Sequence, residues 1–172
     1  MEEGIKIDVG LMKKDNFKYN EEENSLEKTD NNGCFFTIPI KKFSKKNCET
    51  NENKFSIKIL KTSHCYIRIG LATLEFNFKD FNHWIGDDFY GWGFNCRNGT
   101  KMFNLTTEDF INNFEGKIGY VVSLKFNSIK GEIEIYINDE SKGVLFNKID
   151  VKQDYRFVIS LSDIGDKVQI LQ

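Results

Sequence analysis

Two histidines are the natural starting points for proton transfer or metal ligation in this chain. His64 is followed directly by Cys65. Neighbours on a strand point to opposite faces, so regular structure does not let this pair chelate one ion. His83 precedes Asp87 and Asp88 in the run "HWIGDD", where a carboxylate could orient its ring. No serine in an elbow-type glycine context accompanies it. The expectation is therefore a non-enzyme with no catalytic residues. Asp87 and Asp88 offer oxygen ligands to calcium, but the regularly spaced acids of a dedicated calcium loop are missing. Such a carboxylate can instead cap backbone N–H groups in a tight turn after Gly86. The four cysteines, Cys34, Cys48, Cys65 and Cys96, form no CxxC pair and no zinc spacing. No metal and no cofactor is expected. The thiols read as free, in the reducing cytoplasm.

The run "GDDFYGWGF", residues 86–94, packs three glycines and four aromatics into nine positions. A phosphate loop would need glycines between a strand and a helix start, and the following "NCRNGTK" is turn material instead. Read as a strand, the segment puts Tyr90, Trp92 and Phe94 on one face. Gly91 and Gly93 leave the other face bare, open to close approach by something else. Trp92 is expected to be largely buried.

These residues must be held by a scaffold, and the apolar pattern says which. The chain has 172 residues, enough for one domain with a real core. The period is 2 almost everywhere, the mark of half-buried strands. "FSIKIL" aligns Phe55, Ile57 and Ile59; "YIRIGLAT" aligns Ile67, Ile69 and Leu71; "GYVVSLKF" aligns Tyr120, Val122, Leu124 and Phe126. "GEIEIYIND" sets Ile133, Ile135 and Ile137 against Glu132, Glu134 and Tyr136, and "YRFVISLS" and "KVQIL" repeat the pattern. Reversals are expected at Asn31–Gly33, Asn98–Gly99, Ser128–Gly131 and Asn138–Gly143. Thr106–Phe114 carries the single helix signal, a threonine cap followed by acids. Many short strands with one proline point to an all-β antiparallel sandwich of two sheets with at most one short helical segment. The net charge of −2 argues against a nucleic-acid partner, and no apolar run reaches the length of a membrane span.

Four stretches, in order from Phe35 to Leu171, together resemble the SPRY domain, the core of the B30.2 family. "NKFSIKILKTSHCYIRIGLAT" resembles its paired strands, with Gly70, Ala72 and Thr73 on the second motif. "WIGDDFYGWGFNCRNGTKMFN" resembles the family's glycine and tryptophan segment. "FEGKIGYVVSLKFNSIKGEIEIYINDESKGVLF" and "YRFVISLSDIGDKVQIL" resemble the hairpin and the closing strands. The chain departs from the family at Lys117, usually acidic, at Arg156, usually proline, and at Asp139, usually glycine.

The resemblance implies a single bent, concanavalin-like sandwich over residues 1–172 that binds a partner protein or short peptide without catalysis. It places the partner site on loops along one edge. Carried over position by position, these are Thr73, Phe81, Asn82, Ile85, Gly86 and Asp88, with Asp163 where SOCS-box relatives carry an aromatic. Trp84 and Asp87 lie within the same loop. Asp87, Asp88, Asp163 and Asp166 would make the edge acidic, with Phe81, Trp84 and Ile85 as apolar anchors, which suits a basic peptide with one large side chain. Phe81 or Trp84 could instead fold inward as core. The expected setting is a cytoplasmic monomeric module of a larger adaptor or scaffold. The alternative is a lectin-like sandwich, in which Phe81 and Trp84 would stack on sugar rings.

Overall fold

The computed structural model describes residues 16–30, 36–43, 52–77 and 83–171, with residues 36–43 and Glu52 as backbone. Its strands in chain order are β1 (Phe17–Asn20), β2 (Ser25–Lys28), β3 (Phe36–Phe43), β4 (Glu52–Lys61), β5 (Ile67–Thr73), β6 (Gly91–Asn95) and β7 (Thr100–Phe103). There follow β8 (Thr106–Asp109), β9 (Val121–Asn127), β10 (Glu132–Ile137), β11 (Glu140–Phe146), β12 (Tyr155–Leu161) and β13 (Lys167–Leu171). The first sheet has the order β1-β2-β13-β4-β9-β10-β11 and the second β3-β12-β5-β6-β7-β8, with every pairing antiparallel. Among the described residues no helix is long and apolar enough to cross a membrane.

The period-2 pattern sets which face each strand buries. Phe55, Ile57 and Ile59, with Val122, Leu124, Phe126 and the three isoleucines of β10, line the inner face of the first sheet. Ile67, Ile69 and Leu71, with Phe94 and the Tyr155, Phe157, Ile159 and Leu161 run, line the inner face of the second. Phe55 and Phe157 stack across the gap with centroids 5.2 Å apart. Each such fully buried side chain contributes about 1.5–3 kcal/mol, so this interior outweighs any single loop contact.

Two local expectations are corrected. Thr106–Phe114 is not helical: β8 occupies Thr106–Asp109 and closes a two-residue hairpin with β7, Phe103 opposite Thr106. Asn104 and Leu105 take φ of +50° and +60°, the left-handed pair whose twist matches the flanking strands. That turn draws the chain into the sheet before a helix can start. Tyr90 does not share a face with Trp92 and Phe94, because β6 begins only at Gly91 and Tyr90 stays outside. Trp92 is half-buried at the sandwich mouth, stacked on Phe103 at 5.4 Å.

Cys65 and Cys96 are buried free thiols, while Cys34 and Cys48 lie outside the described residues. Burial pushes the Cys65 thiol up to about 12, with the Asp166 and Glu115 charges adding to it.

Candidate functional site

The outer face of the second sheet decides where the loop residues go. β5 and β6 turn Gly70, Gly91 and Gly93 outward, leaving a strip without side chains. The segment after β5 folds back over this strip and seats Ile85 on it. A Cβ on Gly93 would lie 2.6 Å from the Ile85 carbonyl oxygen, and one on Gly70 or Gly91 would strike the Ile85 side chain. Ile85 is fully buried there with Ala72, Phe76 and Val158, a second small core outside the sandwich. The bare face is thus filled by the chain's own loop.

The loop's polar groups are used to fix it. The Asp87 carboxylate accepts from the Trp84 amide at 3.0 Å and from the Arg68 guanidinium at 3.0 Å. Arg68 lies 4.0 Å from the centroid of the Trp84 ring, and burial pulls its pKa down against the pull of Asp87. Asp88 accepts from the Tyr90 amide at 2.7 Å and faces His83 Nε2 at 2.8 Å. Gly86 takes φ of +99°, and a Cβ there would lie 2.7 Å from Met102. The Leu105 and Asn104 amides donate to the Gly86 and Asp88 carbonyls, which ties the loop to the β7–β8 hairpin.

The nominated residues therefore divide. Phe81 and Asn82 lie outside the described residues. Trp84 and Ile85 are buried rather than exposed anchors, because the glycine strip and Arg68 give them apolar and cationic partners. Thr73 is buried too, its amide donating to the Tyr90 carbonyl at 2.8 Å. Asp163 does not join Thr73: the β5–β12 ladder runs from Thr73 opposite Tyr155 to Ile67 opposite Leu161, and Asp163 lies beyond its far end. That separation is about 20 Å at strand rise. Asp163 pairs there with His64 at 2.9 Å. Asp166 is fully buried, accepting from Thr62 at 2.7 Å and the Asp163 amide at 3.0 Å, so its carboxylate is not part of an exposed acidic edge.

What the loop does expose was not nominated. Phe89 and Tyr90 are 66% and 42% exposed, and Leu74, just past Thr73, is 40% exposed. The hydrogen bond from the Thr73 amide to the Tyr90 carbonyl sets the backbone leading to Leu74 and the exposed Glu75 beside that of Tyr90. The signal in the sequence was the position of "FY" between the turn-capping Asp88 and Gly91, where the strand starts.

The SPRY domain family profile matches residues 52–172, and the chain belongs to that family. The fold is shared with solved SPRY domains. The SPRY domain of human HERC1 is 14% identical with a TM-score of 0.71, over 91% of this chain and 92% of that one. The TRIM65 PSpry domain is 9% identical with a TM-score of 0.70, over 99% and 93%. A further human SPRY domain is 12% identical with a TM-score of 0.73, over 90% and 94%. A search of curated proteins finds no match. SPRY is a family of protein-interaction modules.

Proposed function

We propose that this domain binds a partner protein or peptide through the surface formed by the segment after Thr73 and the 83–90 loop, acting without catalysis inside a larger cytoplasmic adaptor or scaffold. The observation that carries the reading is a loop pinned by Ile85, Asp87 and Asp88 that holds Leu74, Phe89 and Tyr90 toward solvent. Exposed aromatics on a fixed frame make anchors at low ordering cost. Thr73, Trp84, Ile85, Gly86, Asp87 and Asp88 act here as the frame. The exposed Glu75 and the partly exposed Asp88 carboxylate favour a basic segment in the partner, engaged by one copy of the domain.

The test is a pull-down from native extract with wild type and with the Phe89→Ala/Tyr90→Ala double variant, partners being identified by mass spectrometry and their affinities then measured. Loss of two anchors should weaken binding at least tenfold, through faster dissociation, with melting unchanged. Binding that survives in the double variant and disappears on mutating Glu132 and Glu134 of β10 would place the partner on the other sheet. Retention of glycans rather than proteins would favour the lectin-like alternative.

A further inference from the structure

A sheet edge is a row of unpaired backbone groups, and among the described residues the two sheets end in four edge strands. Three carry recognised protection. β11 is bulged twice against β10. β3 contains Pro39 with Lys41 and Lys42, and β1, as short as β8, carries an exposed Lys18. β8 is different. It has no proline, lysine or bulge, and all four of its residues, Thr106, Thr107, Glu108 and Asp109, are exposed. Its only strand neighbour among the described residues is β7.

The register says which groups are open. In a two-residue hairpin the residues flanking the turn exchange both backbone bonds, and bonded and non-bonded pairs then alternate. Phe103–Thr106 and Lys101–Glu108 are the bonded pairs, leaving Thr107 and Asp109 with N–H and C=O pointing outward. Beside this edge lies a pocket of about 250 Å³ lined by Phe103, Phe146, Lys101, Thr106 and Glu108. It lies between the β7–β8 hairpin of one sheet and Phe146 of β11 in the other, with Lys101 Nζ 5.7 Å from the centroid of the Phe146 ring. At the turn, Leu105 is 78% exposed while holding a left-handed φ of +60°. A bulky side chain seldom accepts that conformation, least of all where it gains no burial.

We propose that β8 is a strand-addition site for an extended, basic peptide segment, one large apolar side chain of which enters the Phe103–Phe146 pocket. The backbone of the segment pairs with Thr107 and Asp109. A position opposite Thr106 sends its side chain to the pocket face, and positions opposite Glu108 and Asp109 face carboxylates. Lys101 meets Glu108 at 2.9 Å, and the residue opposite Asp109 on β7 is Thr100, so the edge as a whole is acidic. Pairing β8 with a second copy in the register that sets Thr107 opposite Asp109 would place Glu108 against Glu108, which is destabilising across strands, whereas a basic segment meets both carboxylates favourably. This site adjoins the loop of the preceding section, whose Phe89 meets Phe103 edge-on at 6.2 Å, but it uses the backbone edge of β8 and not the exposed side chains of that loop.

The probe is the blocked hexapeptide TRKTFT, whose arginine, lysine and phenylalanine fall opposite Asp109, Glu108 and Thr106 in antiparallel register. Titrated into the labelled domain, it should slow amide exchange at Thr107 and Asp109. Glu108→Lys with Asp109→Lys should weaken it about tenfold, two cross-strand attractions becoming repulsions. Thr107→Pro removes only an outward donor, which an edge strand tolerates, and should abolish binding while the domain still melts cooperatively. Backbone N-methylation supplies a test that leaves the protein untouched. Methylating the arginine and the second threonine of the peptide should abolish binding, and methylating its lysine and phenylalanine should not. Equal effects of the two methylation patterns, or amide shifts confined to the 83–90 loop, would overturn the proposal. An acidic counterpart, TEETFT, that binds as well as TRKTFT would overturn its charge requirement.

Discussion

Ile85→Ala is the substitution that most directly tests how the candidate loop is held. The side chain is fully buried on Gly70, Gly91 and Gly93, against Ala72, Phe76 and Val158. Truncation removes three carbons, worth about 0.8 kcal/mol each, or roughly 2.4 kcal/mol in transfer alone. The vacated site is backed by glycine backbone, which has no side chain to swing in, so a cavity contribution brings the total to about 3–4 kcal/mol. In a domain of this size that lowers the melting temperature by roughly 10 °C. The control is Ile129→Ala, at a 66% exposed turn position, which should change stability by less than about 0.5 kcal/mol. Urea denaturation and calorimetry read the global effect, and amide exchange over Trp84–Tyr90 reads local release. If Ile85→Ala melts with wild type and the exchange of those amides is unchanged, the loop is not held by the glycine strip and the reasoning fails.

Two further outcomes follow from groups remote from the loop. Burial raises the Asp166 pKa above its ordinary value, against hydrogen bonds from Thr62 and the Asp163 amide. The folded state then holds the extra proton between the unfolded value, near 4, and the raised one, so the contribution of Asp166 to stability is greatest below that interval and is lost as pH rises through it. Asp166→Asn should flatten this fall in denaturation curves taken across acidic pH, and an unaltered slope would show that Asp166 does not titrate differently in the folded chain. Cys65, its thiol pushed up to about 12, and Cys96, pushed up by complete burial, should resist alkylation in the folded protein and react on denaturation. Peptide mapping after a timed iodoacetamide pulse would show this, and rapid labelling of either in the folded state would contradict it.

The inner faces were legible because one residue in two is apolar over several consecutive strands, and burial follows that period directly. Ile133, Ile135 and Ile137 face in and Glu132 and Glu134 face out, as the alternation dictates. The glycines of "GWG" announced a vacant outer face, but nothing local named its occupant. Ile85 reaches it only because β12 and β5 also turn small residues outward, a fact of the sheet order and not of the loop. For the same reason Trp84 could not be assigned in advance: its partner Arg68 is sixteen residues away, on β5. Thr106–Phe114 misled because a threonine before acids signals a helix start, whereas the Asn104–Leu105 reversal carries no glycine to announce it. The SPRY resemblance pointed to positions along the chain, and a carried-over position fixes place in the sequence and not exposure: Trp84 and Ile85 are buried, and Asp163 lies at the other end of the β5–β12 ladder from Thr73.

That distinction divides the loop by consequence. Residues from Trp84 to Asp88 bury apolar surface or close hydrogen bonds with the sheet, so changing them perturbs the fold together with whatever the loop binds. Phe89, Tyr90 and Leu74 touch solvent, and changing them leaves the frame intact. A surface built this way can alter its partner through three exposed side chains while the glycine strip keeps the backbone beneath them in place. Because Ile85 is seated before any partner arrives, the ordering entropy that a free loop would lose on binding is already lost in folding. The proposed partner would therefore meet the loop in its bound shape, and association should be limited by encounter rather than by loop closure. Releasing the loop with Ile85→Ala should slow association with that partner even though Ile85 itself touches nothing outside the domain. An association rate unchanged in that variant, with the loop shown by amide exchange to be open, would mean that partner binding does not use this loop.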